Sequence, residues 1–173
     1  MLYLQATKKA LRVLDLQSED LHPAGDTGSA LGNWLVNVVP VGGRDAFLFM
    51  STRSLLSFPI LIGKLNPEPA DLPSFLEHGV TQLTQAMKTP RNQVSMLMQD
   101  LASIALCASK DNSLVGVHSG ISADYFHRIV RAGGLAKANL GDIISAVNSA
   151  PRATLGWRNS FEVSIELLAA SEA

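Results

Sequence analysis

The chain has 173 residues, 47% of them hydrophobic and 17% charged, with a formal net charge of −1. That length suits one sizeable domain around a single core, and the near-neutral balance excludes an overall basic field that would draw in nucleic acid or an anionic membrane. One cysteine excludes an internal disulfide, and four scattered histidines are too few ligands for a structural zinc site.

The charged fraction lies well below the usual quarter, so part of the normally wet surface is expected to be covered by a protein partner or by a second copy of the chain. No apolar run approaches the ~20 residues that span a bilayer. The start MLYLQATKK lacks the ordered regions of a signal peptide. With the lone cysteine, these features predict a cytoplasmic protein without membrane contact.

Taken in chain order, residues 1–6 alternate Leu2 and Leu4 with Tyr3 and Gln5, as a short strand with one buried face does. Thr7 then caps a short helix, KKALRVLD. Residues 17–32, QSEDLHPAGDTGSALG, are polar and rich in glycine, and predict a mobile surface loop.

From 33 to 63 the pattern becomes β: NWLVNVVPV, a GGRD turn, AFLFMS, then LLSFPILIG. These read as a meander, with Pro40 and Pro59 at strand ends, edges or bulges because they lack a backbone donor. In the next segment Asp71 caps, Pro73 occupies the first turn, and Leu72, Leu76, Val80, Leu83 and Met87 recur at helical spacing.

Residues 93–106 fit a strand or a helix. The expectation is a second hairpin, IALCASK turning through KDNS into LVGVHS. Ser122 is then expected to cap ADYFHRIVRA, which Gly133 and Gly134 stop. A helix over roughly 139–148 and a last one, FEVSIELLAAS, capped by Asn159 or Ser160, complete the chain. The sum is a single α+β domain: an antiparallel sheet, made of a meander plus a second hairpin, packed against about five helices.

No phosphate-binding glycine loop, zinc-protease helix, nucleophile elbow or C-x-x-C occurs, so the sequence calls for no cofactor or metal and leans away from an enzyme. His22 and His78 read as solvated. His118 and Ser119 precede the expected helix start, and His127 follows one turn in, beside Arg128 and near Arg131. That set could bind phosphate or act as acid and base in a small metal-independent nuclease or phosphotransfer enzyme, or it could be structural. Lys8 and Lys9 fall where a helix dipole disfavours cations, so they either meet an anion or are simply solvated. Cys107, flanked by apolar residues, reads as core. Trp34 and Trp157 either close the core or stack on a partner.

The pieces MLYLQATKKAL, NWLVN, FLFMSTRSLLSF, NSAPRATLGW and SFEVSIELL, in that order, resemble a family of small, mostly bacterial proteins. That family opens Met-x-x-Leu, starts a helix with Thr-x-Lys-Leu-Leu, carries a W-x-x-N-L strand and an LF-x-x-x-x-T-L-x-S-F strand pair, and closes on N-R-x-P-M-x-x-L-G-Y. The matching residues are Thr7, Lys9, Trp34, Asn37, Phe49, Phe58, Asn148, Pro151, Gly156 and Trp157. Two departures stand out: SLVGVHSGIS where the family has S-V-L-G-S-M-N-D, and Trp157 in place of tyrosine. The resemblance implies an architecture and no established activity.

Taken together, the expected binding surface comprises Trp34, Asn37, Asn148, Arg152, Trp157 and Arg158, on a non-enzymatic interaction or regulatory protein. The expected setting is a bacterial accessory or mobile-element gene, serving toxin–antitoxin or phage conflict. Its rivals are the His118/His127 enzyme and a nucleic-acid binder using Lys8, Lys9, Arg152 and Arg158.

Overall fold

A computed structural model describes residues 1–63 and 66–172. It is an α+β fold: one five-stranded mixed sheet, order β4-β3-β2-β1-β5, with helices on both faces. Strand β1 (Leu2–Ala6) leads through Thr7 into α1 (Lys8–Val13), where the Thr7 side chain accepts from the Ala10 N–H as expected of a cap. Strands β2 (Trp34–Val41), β3 (Arg44–Ser51) and β4 (Ser57–Leu61) form the expected antiparallel meander. Pro59 lies on the edge strand, and Pro40 lies beyond the stretch of β2 that pairs with β1. Neither proline therefore interrupts a ladder.

Helices α2 (Leu72–Ala86) and α3 (Arg91–Leu101) follow, the ambiguous stretch at 93 resolving to helix. Asp71 stands at the expected position before α2, but its carboxylate accepts the Glu68 N–H and caps the preceding 3-10 turn instead. Strand β5 (Ile104–Ala108) then joins the far side of β1.

Three expectations are corrected at this point. The second hairpin does not form, because β5 pairs parallel to β1, and residues 112–131 are one helix, α4 (Asn112–Arg131). Asp111 caps it, its carboxylate accepting from the Leu114 N–H at 3.0 Å, so Ser122 lies in the middle of α4 and caps nothing. The LVGV run met the strand pattern over four residues. His118, Ile121, Tyr125 and Ile129 bury one stripe at helical spacing over the next twelve, and that longer pattern wins. Strand β1 also pairs parallel to β2, with α1 in the connection, so the sheet is not wholly antiparallel.

Gly133 and Gly134, both at φ +92°, stop α4 as expected, and α5 (Leu140–Ser149) and α6 (Ser160–Ala170) close the chain. One face of the sheet buries Leu4, Trp34, Phe47, Phe49 and Phe58 against α1, α2, α3 and α6, and the other buries Leu35, Val39, Leu48 and Met50 against α4 and α5. The 17–32 segment is a surface loop only in part. It contains a 3-10 turn at Ser18–Asp20, and Ala30 and Leu31 enter the core. Asn33 anchors its end, accepting the Tyr3 N–H and donating to the Gly25 carbonyl. Among the described residues no helix is long and apolar enough to cross a membrane.

Candidate partner-binding corner

Between α5 and α6 the chain makes a closed turn. Pro151 prevents the α5 helix from continuing, and residues Ala153–Leu155 make one 3-10 turn. Gly156 and then Trp157 both adopt the left-handed conformation, at φ 65° and 64°. The Arg152 N–H donates to the Arg158 carbonyl and the Trp157 N–H to the Arg152 carbonyl, at 3.0 and 2.9 Å, which pins both arms of the turn. Asn159 then starts α6 with a reciprocal cap, accepting from the Glu162 N–H while Glu162 accepts from its own.

The side chains of the corner divide into anchors and one projection. Asn148 is fully buried: its Oδ1 accepts the Ser57 N–H at 2.8 Å, and its Nδ2 donates to the Ser57 and Ile144 carbonyls at 2.7 and 2.8 Å. Arg152 donates to Asp124 and to the Val147 carbonyl, both at 3.1 Å, and Asp124 also holds Arg128 at 2.8 Å. Asp124 thus ties the corner to α4, a role the sequence hid because Arg152 is 28 positions away. Its pairing with Arg128, one helical turn on, was readable from the spacing.

Trp157 is 73% exposed, a bulky residue in a strained backbone region, turned outward. Arg158 beside it reaches Glu166 at 2.6 Å, and Ile165 on α6 is exposed. A cleft of about 320 Å³ separates Pro151–Thr154 from Val117, Gly120 and Ile121 of α4.

The remaining expected site residues do not join this corner. Trp34 is 1% exposed and packs on Phe58 at 5.9 Å between ring centroids, so it closes the core and presents no surface. Asn37 accepts from the Thr7 hydroxyl, tying β2 to the start of α1. His118 is fully buried. Its Nε2–H donates to the Leu48 carbonyl at 2.9 Å, and its Nδ1 has no partner among the described residues. Because a carbonyl only accepts, this bond fixes the tautomer, and burial holds the ring's pKa below its ordinary value.

His127 is exposed, and nine residues at ~100° each put it on the opposite side of α4 from His118. The two histidines therefore do not converge on one substrate, and Arg128 is engaged by Asp124 while Arg131 is exposed at the helix end. His22 and His78 are exposed, as expected of solvated rings. Cys107 is buried, and burial raises its thiol pKa despite the nearby Lys110, in keeping with a core residue. Lys8 and Lys9 are exposed on α1, which packs on β1 and β2.

A family model, the domain of unknown function DUF6933, matches residues 3–163. No curated protein and no solved structure matches the chain.

Proposed function

We propose that this chain, which belongs to the family of the domain of unknown function DUF6933, is a non-enzymatic interaction module that grips a protein partner through its 150–158 corner. The observation that carries this reading is Trp157, 73% exposed on a backbone turn that its own hydrogen bonds hold rigid. Folding alone gives no reason to hold a tryptophan out of the core in a conformation that costs ~1–2 kcal/mol. A binding partner gives one, because tryptophan and arginine dominate interface hot spots and a side chain fixed in advance loses little freedom on docking.

Arg158, Glu166 and Ile165 supply a mixed rim around it. The low charged fraction supports the same reading, since a covered surface needs fewer charges. A reducing cytoplasm suits the buried free thiol of Cys107, and a bacterial accessory gene, on a mobile element or in a toxin–antitoxin or phage-conflict locus, suits a small module of this kind.

The test is a paired pull-down from the native host with wild-type and Trp157→Ala protein. Sedimentation of both first separates a second copy of the chain from a foreign partner. A stoichiometric protein, or a dimer, held by the wild type and lost by the variant supports the reading. Equal retention by both, or no partner at all, overturns it.

A further inference from the structure

The outer face of α4 is unlike that of an ordinary surface helix. Such a helix turns its charged residues to water, as α1 does with Lys8 and Lys9 and α6 with Glu162 and Glu166. On α4, twenty residues long, Arg131 at the last position is the one exposed Asp, Glu, Lys or Arg; Asp124 and Arg128 are half-buried and paired with each other. What faces outward instead is Gly116, Ala123 and Val130 at a seven-residue repeat, with Ser119 and Phe126 at the same repeat beside them, all exposed. Seven residues return to within about 20° of the same direction, so these five form one stripe, opposite the buried His118, Ile121, Tyr125 and Ile129.

The stripe is graded in size about its middle. Phe126 and Val130, on one side of Ala123, are 43% and 56% exposed large side chains. Gly116 and Gly120, on the other side, are open: a Cβ added to either meets nothing within 4 Å among the described residues. A two-fold axis at Ala123 that sets two such helices antiparallel brings Val130 level with the partner's Gly116 and Phe126 level with the partner's Gly120, each pairing occurring twice. The bulky half of each helix then lies against the hollow half of the other, and the two Arg131 stand about 24 Å apart. A parallel pair would set ring against ring and glycine against glycine. The stripe alone, about 30 Å long and ~10 Å wide, falls short of the ~800 Å² per partner of a standard interface. It runs on into the cleft between Gly120 and Pro151–Thr154, where Asp124, next to Ala123, holds Arg152, so the corner extends the contact area.

We infer that the outer face of α4, from Gly116 to Val130, is the contact between two copies of this chain, packed antiparallel about a two-fold axis at Ala123. A second copy is favoured over a foreign helix because the face is complementary to itself, a property that an unrelated partner does not require. The low charged fraction of the chain fits a face that is covered in this way. The inference does not depend on the role given to Trp157.

The test is analytical ultracentrifugation of the full-length protein from micromolar to near-millimolar concentration, where a reversible dimer is expected. Ala123→Glu and Ala123→Lys each set two like charges against one another on the axis, and each is expected to weaken the dimer by about tenfold or more. Mixing the two variants in equal amounts is expected to restore it as a heterodimer, since residue 123 meets its own counterpart only if the axis passes there. Ala123 is exposed, so both variants keep their fold, which circular dichroism checks. A wild type that stays monomeric throughout, a dimer untouched by either charge, or folded variants that do not recover on mixing overturn the inference. A dimer lost in Trp157→Ala but kept in Ala123→Glu overturns it too, while leaving the corner's role standing.

Discussion

The side-chain amide of Asn148 satisfies both backbone polar groups of Ser57, a residue 91 positions away on the edge strand β4. In effect the amide stands where a further strand would pair. Tyr125 of α4 adds a bond from its hydroxyl to the same carbonyl, at 2.9 Å, so two helices converge on one point of the sheet edge.

Asn148→Ala removes that closure and leaves a buried N–H without an acceptor. The expected loss is about 2–4 kcal/mol in a chemical denaturation curve. A loss below about 0.5 kcal/mol, the range of an ordinary surface substitution, contradicts the structural role assigned here.

Two tryptophans of opposite environment make a second prediction. Trp34→Phe leaves an emission that is red-shifted and readily quenched by acrylamide, from Trp157; Trp157→Phe leaves one that is blue-shifted and protected, from Trp34. Trp34→Ala costs ~3–5 kcal/mol, as for other buried aromatics. Trp157→Gly stays within about 0.5 kcal/mol or stabilises, because glycine relieves the left-handed strain. A large destabilisation by Trp157→Gly removes the argument that Trp157 is held outward for a partner.

Alanine scanning of glycines in helices separates close packing from open space. At Gly79 an added Cβ would meet the Phe58 ring at 2.0 Å, so Gly79→Ala forces α2 off the sheet and destabilises by ~1–3 kcal/mol or more. At Gly116 and Gly120 in α4 nothing among the described residues lies within 4 Å, and the same change stabilises each by roughly 0.5–1 kcal/mol. Thermal melts of the three variants check the opposite signs.

His118 gives a pH dependence of known direction. Its folded-state pKa is lowered by burial, so below about 6.5 the unfolded chain takes up a proton that the native ring does not. Stability therefore falls as pH drops from about 6.5 toward the lowered folded value, and is unaffected by this group above 6.5. In urea titrations at pH 7, 6 and 5, His118→Gln is expected to start lower and lose less on acidification than the wild type. Parallel losses in the two proteins assign the effect to other groups.

Elements whose cause lies within a few residues were legible from the chain. The meander follows from short, nearly continuous apolar runs, the first two joined by Gly42 and Gly43, both at positive φ; α2 follows from one apolar stripe; α6 follows from the Asn159 and Glu162 cap. The local mark of α4 is Asp111, whose capping bond to the N–H three residues on distinguishes helix from turn. Of the expected surface, Trp157 and Arg158 stand where a partner could reach them, while Trp34 and Asn148 are buried.

What only the tertiary structure decided are relations between residues far apart: β1 between two parallel partners, Trp34 inside a cluster of phenylalanines, Asn148 on Ser57, Asp124 between two arginines. The physical reason is that periodicity and capping act through bonds spanning three or four residues and leave their mark in consecutive letters. Whether a tryptophan or an amide faces water depends on which distant strand and helix close over it, a choice made by the packing of the whole core.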